Sequence, residues 1–171
     1  MQPIRFFTAL RSDARRTIEH IGSADIVVGI PAFWAMESIE HVIKSVIEGL
    51  QKYYPDKRAL VFVADGGSTD DTREAAAQVN VEAYNIHVLV SVYRGLAGKG
   101  SAVRAIFEAA EFLKADAVAL FDSDLKSITP EWVRNVIDPV MQGFDFVTPD
   151  YLRHKFDGTI TNTIAYNLTR T

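Results

Sequence analysis

Short apolar runs alternate along the chain with stretches whose apolar residues recur at helical spacing, and this alternation restricts the fold more than any single motif does. Strands are predicted over residues 25–30, 59–64, 86–92, 117–121 and 144–148, where short apolar runs are bounded by Gly, Pro, Asp or Ser. Pro31 is expected to stop the first of them. The intervening stretches read as helices. Residues from about 8 to 21 place Leu10, Ala14, Thr17, Ile18 and Ile21 on one side, with Arg11, Arg15 and Arg16 on a solvated face. From about residue 37, Ile39, Val42, Ile43, Val46, Ile47 and Leu50 repeat at i, i+3, i+4, i+7. A third pattern turns Val103, Ile106, Phe107, Ala110 and Leu113 inward. A fourth opens on Pro130, a favoured first-turn residue, and buries Val133, Val136, Ile137 and Val140. Residues 157–171 read as a loop followed by a partly apolar helix. Alternating strands and helices give an α/β fold, a mostly parallel sheet with helices on both faces.

At 171 residues the chain is long enough for one domain with a real core. Its net charge of -4 argues against a nucleic-acid backbone as main partner. The absence of cysteine removes disulfides, thiolate metal sites and a cysteine nucleophile, and fits a cytoplasmic protein. No apolar run reaches the ~18 residues of a membrane span, and the N-terminus lacks the apolar core of a secretory signal.

Polar residues gather at the predicted strand ends. The fourth run, Val118-Ala119-Leu120-Phe121, breaks off in Asp122-Ser123-Asp124. Charges inside a core cost several kcal/mol or more, so both carboxylates are expected where the strand leaves the sheet, in the crevice where open α/β sheets bind ligands. Residues i and i+2 of extended backbone point to one side, and two such carboxylates suit Mg²⁺ held together with substrate phosphates. Asp65-Gly66-Gly67-Ser68-Thr69-Asp70-Asp71-Thr72 ends the second strand. There the glycines permit a tight turn, and Ser68 or Thr69 is expected to cap the next helix, with Asp70 and Asp71 as helix-start charges. Asp65 itself is compatible with plain turn chemistry. Gly98-Lys99-Gly100 follows the third strand and brings backbone N–H groups and an ammonium to a helix N-terminus, a natural phosphate site. It is not a P-loop, since Tyr93 stands where the first glycine would be and Gly100 where Ser or Thr would follow the lysine. Nor is it a dinucleotide fingerprint, because Val103 replaces the third glycine. His20, His41, His87 and His154 show no metal spacing; His154, beside Arg153 and Lys155, is the one placed near a site.

Taken in order, Val28-Gly29-Ile30-Pro31-Ala32-Phe33, the Asp65 to Thr72 turn, Gly98-Lys99-Gly100 and Asp122-Ser123-Asp124 resemble the signature of GT-A nucleotide-sugar glycosyltransferases of the family 2 type. The resemblance runs from about residue 25 to 146. Asp122-Ser123-Asp124-Leu125 with Pro130 and Asp138-Pro139-Val140 is similar to glucosyl-3-phosphoglycerate synthases and mannosylglycerate-type relatives. Tyr151-Leu152-Arg153-His154 and Gly158-Thr159-Ile160-Thr161-Asn162 are similar to their acceptor region. This resemblance implies a nucleotide-sugar-binding GT-A domain over 25–150, preceded by a flanking helix within 1–24 and followed over 151–171 by the start of an acceptor-binding region. It implies transfer of a sugar from a UDP-glucose or GDP-mannose type donor to a small hydroxylated acceptor such as a phosphoglycerate, metal-dependent and retaining. Pro31 and Ala32 would line the nucleotide, Asp65 would hold its uracil or ribose, and Gly98 and Lys99 would contact it. Asp122 and Ser123 would sit at the ribose, and Asp124 would ligate Mg²⁺ or Mn²⁺ on the diphosphate, with Asp122 and Asp124 as the catalytic pair. Arg153, His154, Gly158 and Thr159 would face the acceptor. A homodimer is the expected assembly.

Departures accompany the resemblance. The family often carries Asn-Glu after its Pro-x-aromatic start, where this chain has Trp34-Ala35, and Glu37 is the nearest substitute. The family's metal-ligating His lies beyond the acceptor loop, whereas this chain ends at Thr171 inside a helix-like pattern, so an incomplete catalytic domain is expected. Two alternatives stand beside it. A haloacid-dehalogenase-type phosphohydrolase would use Asp122 as nucleophile and Asp124 as general acid, but Lys126 occupies the place of that family's Thr or Val. A non-catalytic nucleotide-binding fragment is the other.

Overall fold

The structure, a computed structural model, describes residues 7–150. The acceptor-side expectations at Arg153, His154, Gly158 and Thr159, and the helix expected within 157–171, lie outside the described residues. Four strands, β1 (Ile26–Ala32), β2 (Ala59–Asp65), β3 (Ile86–Val92) and β4 (Ala117–Leu120), form an all-parallel sheet in the order β3-β2-β1-β4. Five helices accompany them: α1 (Ser12–Ile21), α2 (Ile39–Tyr53), α3 (Thr72–Ala77), α4 (Lys99–Leu113) and α5 (Pro130–Met141).

The strand period of two divides the core into halves. Ile26, Val28 and Ile30 of β1, with Val61 and Val63 of β2, pack against α2, α3 and α5. Val27 of β1, with Leu60 and Phe62 of β2, meets α1 and α4 on the opposite face. β1 and β2 are therefore apolar on both sides, as covered parallel strands must be. The expected face of α2 is buried throughout, from Ile39 to Leu50. In α1, Ala14 and Ile18 enter the core, whereas Thr17 is exposed and turns its hydroxyl to the Asp13 carbonyl.

Three expectations change. Pro31 does not stop β1, which continues to Ala32 with Pro31 opposite Ala64. Gly29 presents its carbonyl to Phe121 of the β4 segment, and Ala32 presents its own to Gly66 after β2. By the period of two, Pro31 faces the β4 side, where pairing has already ended at Leu120. The missing N–H falls where no ladder bond is required. Second, α4 buries Ala102, Ala105, Ile106, Ala109, Ala110 and Leu113, while Phe107 is 50% exposed. The stripe of small residues lets the helix lie close on the sheet. Third, residues 144–148 form no strand, and Phe144 and Phe146 stay exposed. An alternating run becomes a strand only against a sheet edge it can pair with, and this run pairs with neither edge. Among the described residues β4 is an edge strand, and Leu120 is exposed.

The closeness of α4 makes one position sensitive. A Cβ on Gly29 would stand 2.4 Å from Cγ2 of Ile106, which is fully buried. Gly29→Ala is therefore expected to destabilise the fold by about 1–3 kcal/mol through overpacking. Ile106→Ala in the same chain removes Cγ1, Cγ2 and Cδ1 together and is expected to recover part of the loss, both read from urea unfolding midpoints at constant m.

The sheet order also fixes where a ligand fits. β1 passes to β2 on one side, and β4 returns to pair with β1 on the other. The helices that follow β1 and β3 lie on opposite faces, α2 on one and α4 on the other, so the chain leaves the strand ends in opposite directions and opens a crevice there.

Candidate active site at the strand ends

A cleft of about 590 Å³ occupies that crevice. One wall is the segment after β1: Pro31, Ala32, Phe33, Trp34 and Ala35. The opposite wall carries Ala97, Gly98, Lys99 and Ala102 at the start of α4, with Asp122, Ser123 and Asp124 after β4. Gly66 and Tyr93 complete it from β2 and β3. Pro31, Ala32, Gly98, Lys99, Asp122, Ser123 and Asp124 are thus brought together as the sequence suggested.

The acidic doublet is held by its middle residue. Phe121 and Ser123 are buried while Asp122 and Asp124 are exposed. The buried hydroxyl of Ser38, at the start of α2, donates to the Ser123 carbonyl at 2.8 Å. Anchoring residue 123 inward, where a turn begins beyond β4, leaves residues 122 and 124 exposed at the cleft. On the same wall, Lys99 donates to Asp122 Oδ1. Asp124 has no hydrogen bond or ion pair among the described residues.

The N-terminus of α4 is shaped by Tyr93. Its hydroxyl accepts the Gly98 N–H at 2.9 Å and donates to the Gly98 carbonyl at 3.1 Å, closing the loop between them. Gly98 takes φ +140, a conformation that a side chain would strain. No side chain caps this helix end, so its first N–H groups and Lys99 face the cleft together.

Asp65 is placed differently from the other candidates. It lies beneath the cleft, fully buried, and does not line it. Its Oδ2 accepts the N–H groups of Gly67 and Ser68 at 2.7 and 2.8 Å, and its Oδ1 accepts the Ser68 hydroxyl at 2.5 Å. Arg73 Nε stands 3.8 Å from Oδ2. Ser68 does not cap α3, which begins at Thr72 behind Asp71 with no side-chain cap. Instead its hydroxyl accepts the Trp34 N–H at 3.0 Å. Thr72 repeats the device: its hydroxyl accepts the Ala35 N–H at 2.9 Å and donates to Asp70 Oδ1 at 2.5 Å. That donation holds the Asp70 carboxyl below the usual carboxylate range. Asp70 Oδ2 also accepts the Met36 N–H at 3.3 Å. Three successive N–H groups of the β1 wall are therefore fastened by the turn after β2. Asp70 is more than a helix-start charge.

The donor set tests the implied metal. No cluster of three His, Cys, Asp or Glu side chains occurs among the described residues. Asp122 and Asp124 alone fit a hard divalent cation that takes one or two carboxylates and completes its shell with phosphate oxygens and water. No helix of the described residues is long and apolar enough to cross a membrane.

Comparison with known proteins agrees with this geometry. A sequence model of Glycosyl transferase family 2 matches residues 27–165, most of the chain. Glycosyltransferase AglJ of Haloferax volcanii is 31% identical over 118 residues, 69% of this chain and 35% of its own length. Glucosyl-3-phosphoglycerate synthase from Mycobacterium tuberculosis, solved with Mn²⁺, UDP and phosphoglyceric acid, superposes with a TM-score of 0.62 at 27% identity, covering 88% of this chain and 51% of that one. Mannosyl-3-phosphoglycerate synthase from Rubrobacter xylanophilus gives 0.65 at 25% identity, covering 91% and 49%. The chain thus spans about a third of that curated relative and about half of each solved chain.

Proposed function

The chain belongs to glycosyl transferase family 2, and we propose that its cleft binds a nucleoside-diphosphate sugar and passes the sugar to a small hydroxylated acceptor of the phosphoglycerate type. The observation that carries this reading is the pairing of Lys99 and an uncapped helix N-terminus with the Asp122–Asp124 doublet in one cleft. A diphosphate satisfies both: its oxygens take the ammonium and the helix N–H groups, and a divalent cation lets it approach the carboxylates.

In this scheme Lys99 leaves Asp122 for the diphosphate, and Asp122 turns to the ribose. Asp124 and the donor hold Mn²⁺ or Mg²⁺, in keeping with the Mn²⁺ and UDP found in the solved relative. When bound, the cation stabilises the charge that develops on the leaving diphosphate as a Lewis acid. Ser123 and Gly98 set the backbone that positions these groups. Pro31 and Ala32 line the nucleoside from the β1 wall, and Asp65 supports that wall through Ser68. Asp122 and Asp124 are the acids of the cleft lining among the described residues, and the proposal keeps the retention of anomeric configuration that the resemblance implies. Arg153, His154, Gly158 and Thr159 remain the proposed acceptor contacts. Family membership weighs against the phosphohydrolase alternative.

Calorimetry with UDP and GDP, each with and without Mn²⁺, tests the donor site. Binding that strengthens with Mn²⁺ is expected, and failure of both nucleotides to bind in either condition overturns the proposal. Lys99→Met is expected to weaken binding about tenfold to a hundredfold, the worth of a hydrogen bond between charged groups.

A further inference from the structure

One serine joins the two walls of the cleft, and it does so by leaving its ordinary task undone. Ser38 is the N-cap of α2, the position where a serine hydroxyl usually accepts an N–H of the first helical turn. Here no side chain caps α2. The Ser38 hydroxyl is buried and donates instead to the Ser123 carbonyl at 2.8 Å, 85 residues away. The Ser38 N–H donates to the Ala35 carbonyl at 3.0 Å, and the Ala35 N–H is itself held by Thr72. Ser38 therefore stands on the fastened β1 wall and reaches to the segment after β4.

That segment needs a hold from outside. The pairing of β4 ends at Leu120, opposite Gly29, and the Phe121 N–H makes a last bond to the Gly29 carbonyl at 3.0 Å. Beyond it, among the described residues, the Ser38 bond is what ties the backbone of residues 122–124 to another element. The Ser123 carbonyl and the Asp124 N–H belong to one rigid peptide plane. Fixing that carbonyl fixes the direction in which Asp124 leaves the chain. Asp122 has a second hold in its ion pair with Lys99, whereas Asp124 has none among the described residues.

We infer that Ser38 is a positioning residue for the cation: it aims Asp124 by holding the peptide plane before it, and so sets how strongly Mn²⁺ or Mg²⁺ joins the donor to the cleft. The inference rests on the donor reading above and adds a residue that acts through Asp124 alone. Without the hydroxyl, the Ser123 carbonyl is buried with no donor, a state that a polar group leaves by turning towards water. Such a turn swings Asp124, while Lys99, Gly98 and the start of α4 keep their places. A hard cation such as Mg²⁺ holds its ligands at ~2.0–2.1 Å in near-ideal geometry, so a small swing is enough to weaken it.

Calorimetry with UDP and GDP on Ser38→Ala tests the inference. Affinity without metal is expected to stay within about twofold of wild type, while affinity in Mn²⁺ falls about tenfold. With no ligand present, amide hydrogen exchange at residues 122–125 is expected to quicken while β1 and β2 stay protected. Ser38→Cys keeps the size with a weaker donor and is expected to fall between the two; it carries the comparison if Ser38→Ala does not fold. Ile47→Val, on the buried face of the same helix and away from the cleft lining, lowers the urea midpoint and is expected to leave the Mn²⁺ effect whole. An unchanged Mn²⁺ effect in the Ser38 variants, or an equal loss in Ile47→Val, overturns the inference and leaves the donor reading intact. So does a loss of metal-free affinity as large as the loss in Mn²⁺, or wild-type binding that Mn²⁺ does not strengthen. Failure of the wild type to bind either nucleotide overturns the donor reading and the inference with it.

Discussion

Asp65→Ala is expected to destabilise the protein by about 3–5 kcal/mol and to abolish tight nucleotide binding, although Asp65 does not line the cleft. The carboxylate accepts two N–H groups and a hydroxyl, with the Arg73 guanidinium at 3.8 Å. Hydrogen bonds to a charged group are each worth ~1.5–3 kcal/mol net, and a buried partner left unpaired adds its own desolvation cost. The Arg73 side chain is 43% exposed, so its ion pair adds little, and the hydrogen bonds to the buried carboxylate carry the expected loss. The loss also travels. Ser68 is no longer fixed, and the Trp34 N–H loses the contact that holds its backbone at positive φ. Urea unfolding reads the first effect and calorimetry with UDP or GDP the second. Asp65→Asn keeps one acceptor oxygen and is expected to fall between wild type and Asp65→Ala. A change below ~1 kcal/mol for Asp65→Ala would mean that the turn after β2 holds its shape without the carboxylate.

Asp65 also marks where sequence reasoning stopped short. An aspartate at a strand end looks the same whether it reaches into a cleft or folds back on its own turn. Its neighbour Ser68, three residues on, is the signal that separates the two, because an Asp followed by Gly-Gly-Ser offers it two N–H groups and a hydroxyl in register. The strands themselves were readable because β1 and β2 are buried on both faces and carry uninterrupted apolar runs. The run at 144–148 is interrupted by Asp145, and whether such an alternating run pairs depends on an edge that no local pattern records. Phe107 is exposed for a related reason: the spacing of large apolar residues predicts a face, but α4 turns alanines inward and sets Ile106 against Gly29 of β1. Convergence of Lys99 with the Asp122–Asp124 doublet was legible, since parallel strands put all their carboxyl ends on one rim. Tyr93 and Trp34 entered only as residues missing from a motif. Their tasks, closing the Gly98 loop and presenting a ring, depend on contacts between loops far apart in sequence.

Asp124→Asn is expected to lower turnover about 10²- to 10⁴-fold, the rate equivalent of several kcal/mol of leaving-group stabilisation. The two acids of the doublet are not equivalent in the cleft. Asp122 is engaged by Lys99, whereas Asp124 meets no other group among the described residues and stays exposed. A carboxylate with no partner among the described residues is the one left for a cation, and removing its charge breaks no contact described there. Stability is therefore expected to change by less than ~0.5 kcal/mol, while the strengthening of UDP or GDP binding by Mn²⁺ disappears. Asp122→Asn is expected to behave otherwise. It releases Lys99 from its ion pair, so nucleotide affinity without metal is retained or raised and the Mn²⁺ effect persists. Calorimetry on both variants separates these outcomes, and product formation from a nucleoside-diphosphate sugar and a phosphoglycerate gives the rates. If the Mn²⁺ effect survived Asp124→Asn and vanished with Asp122→Asn, the cation would belong to Asp122. Lys99 would then have to leave that carboxylate before the metal could arrive.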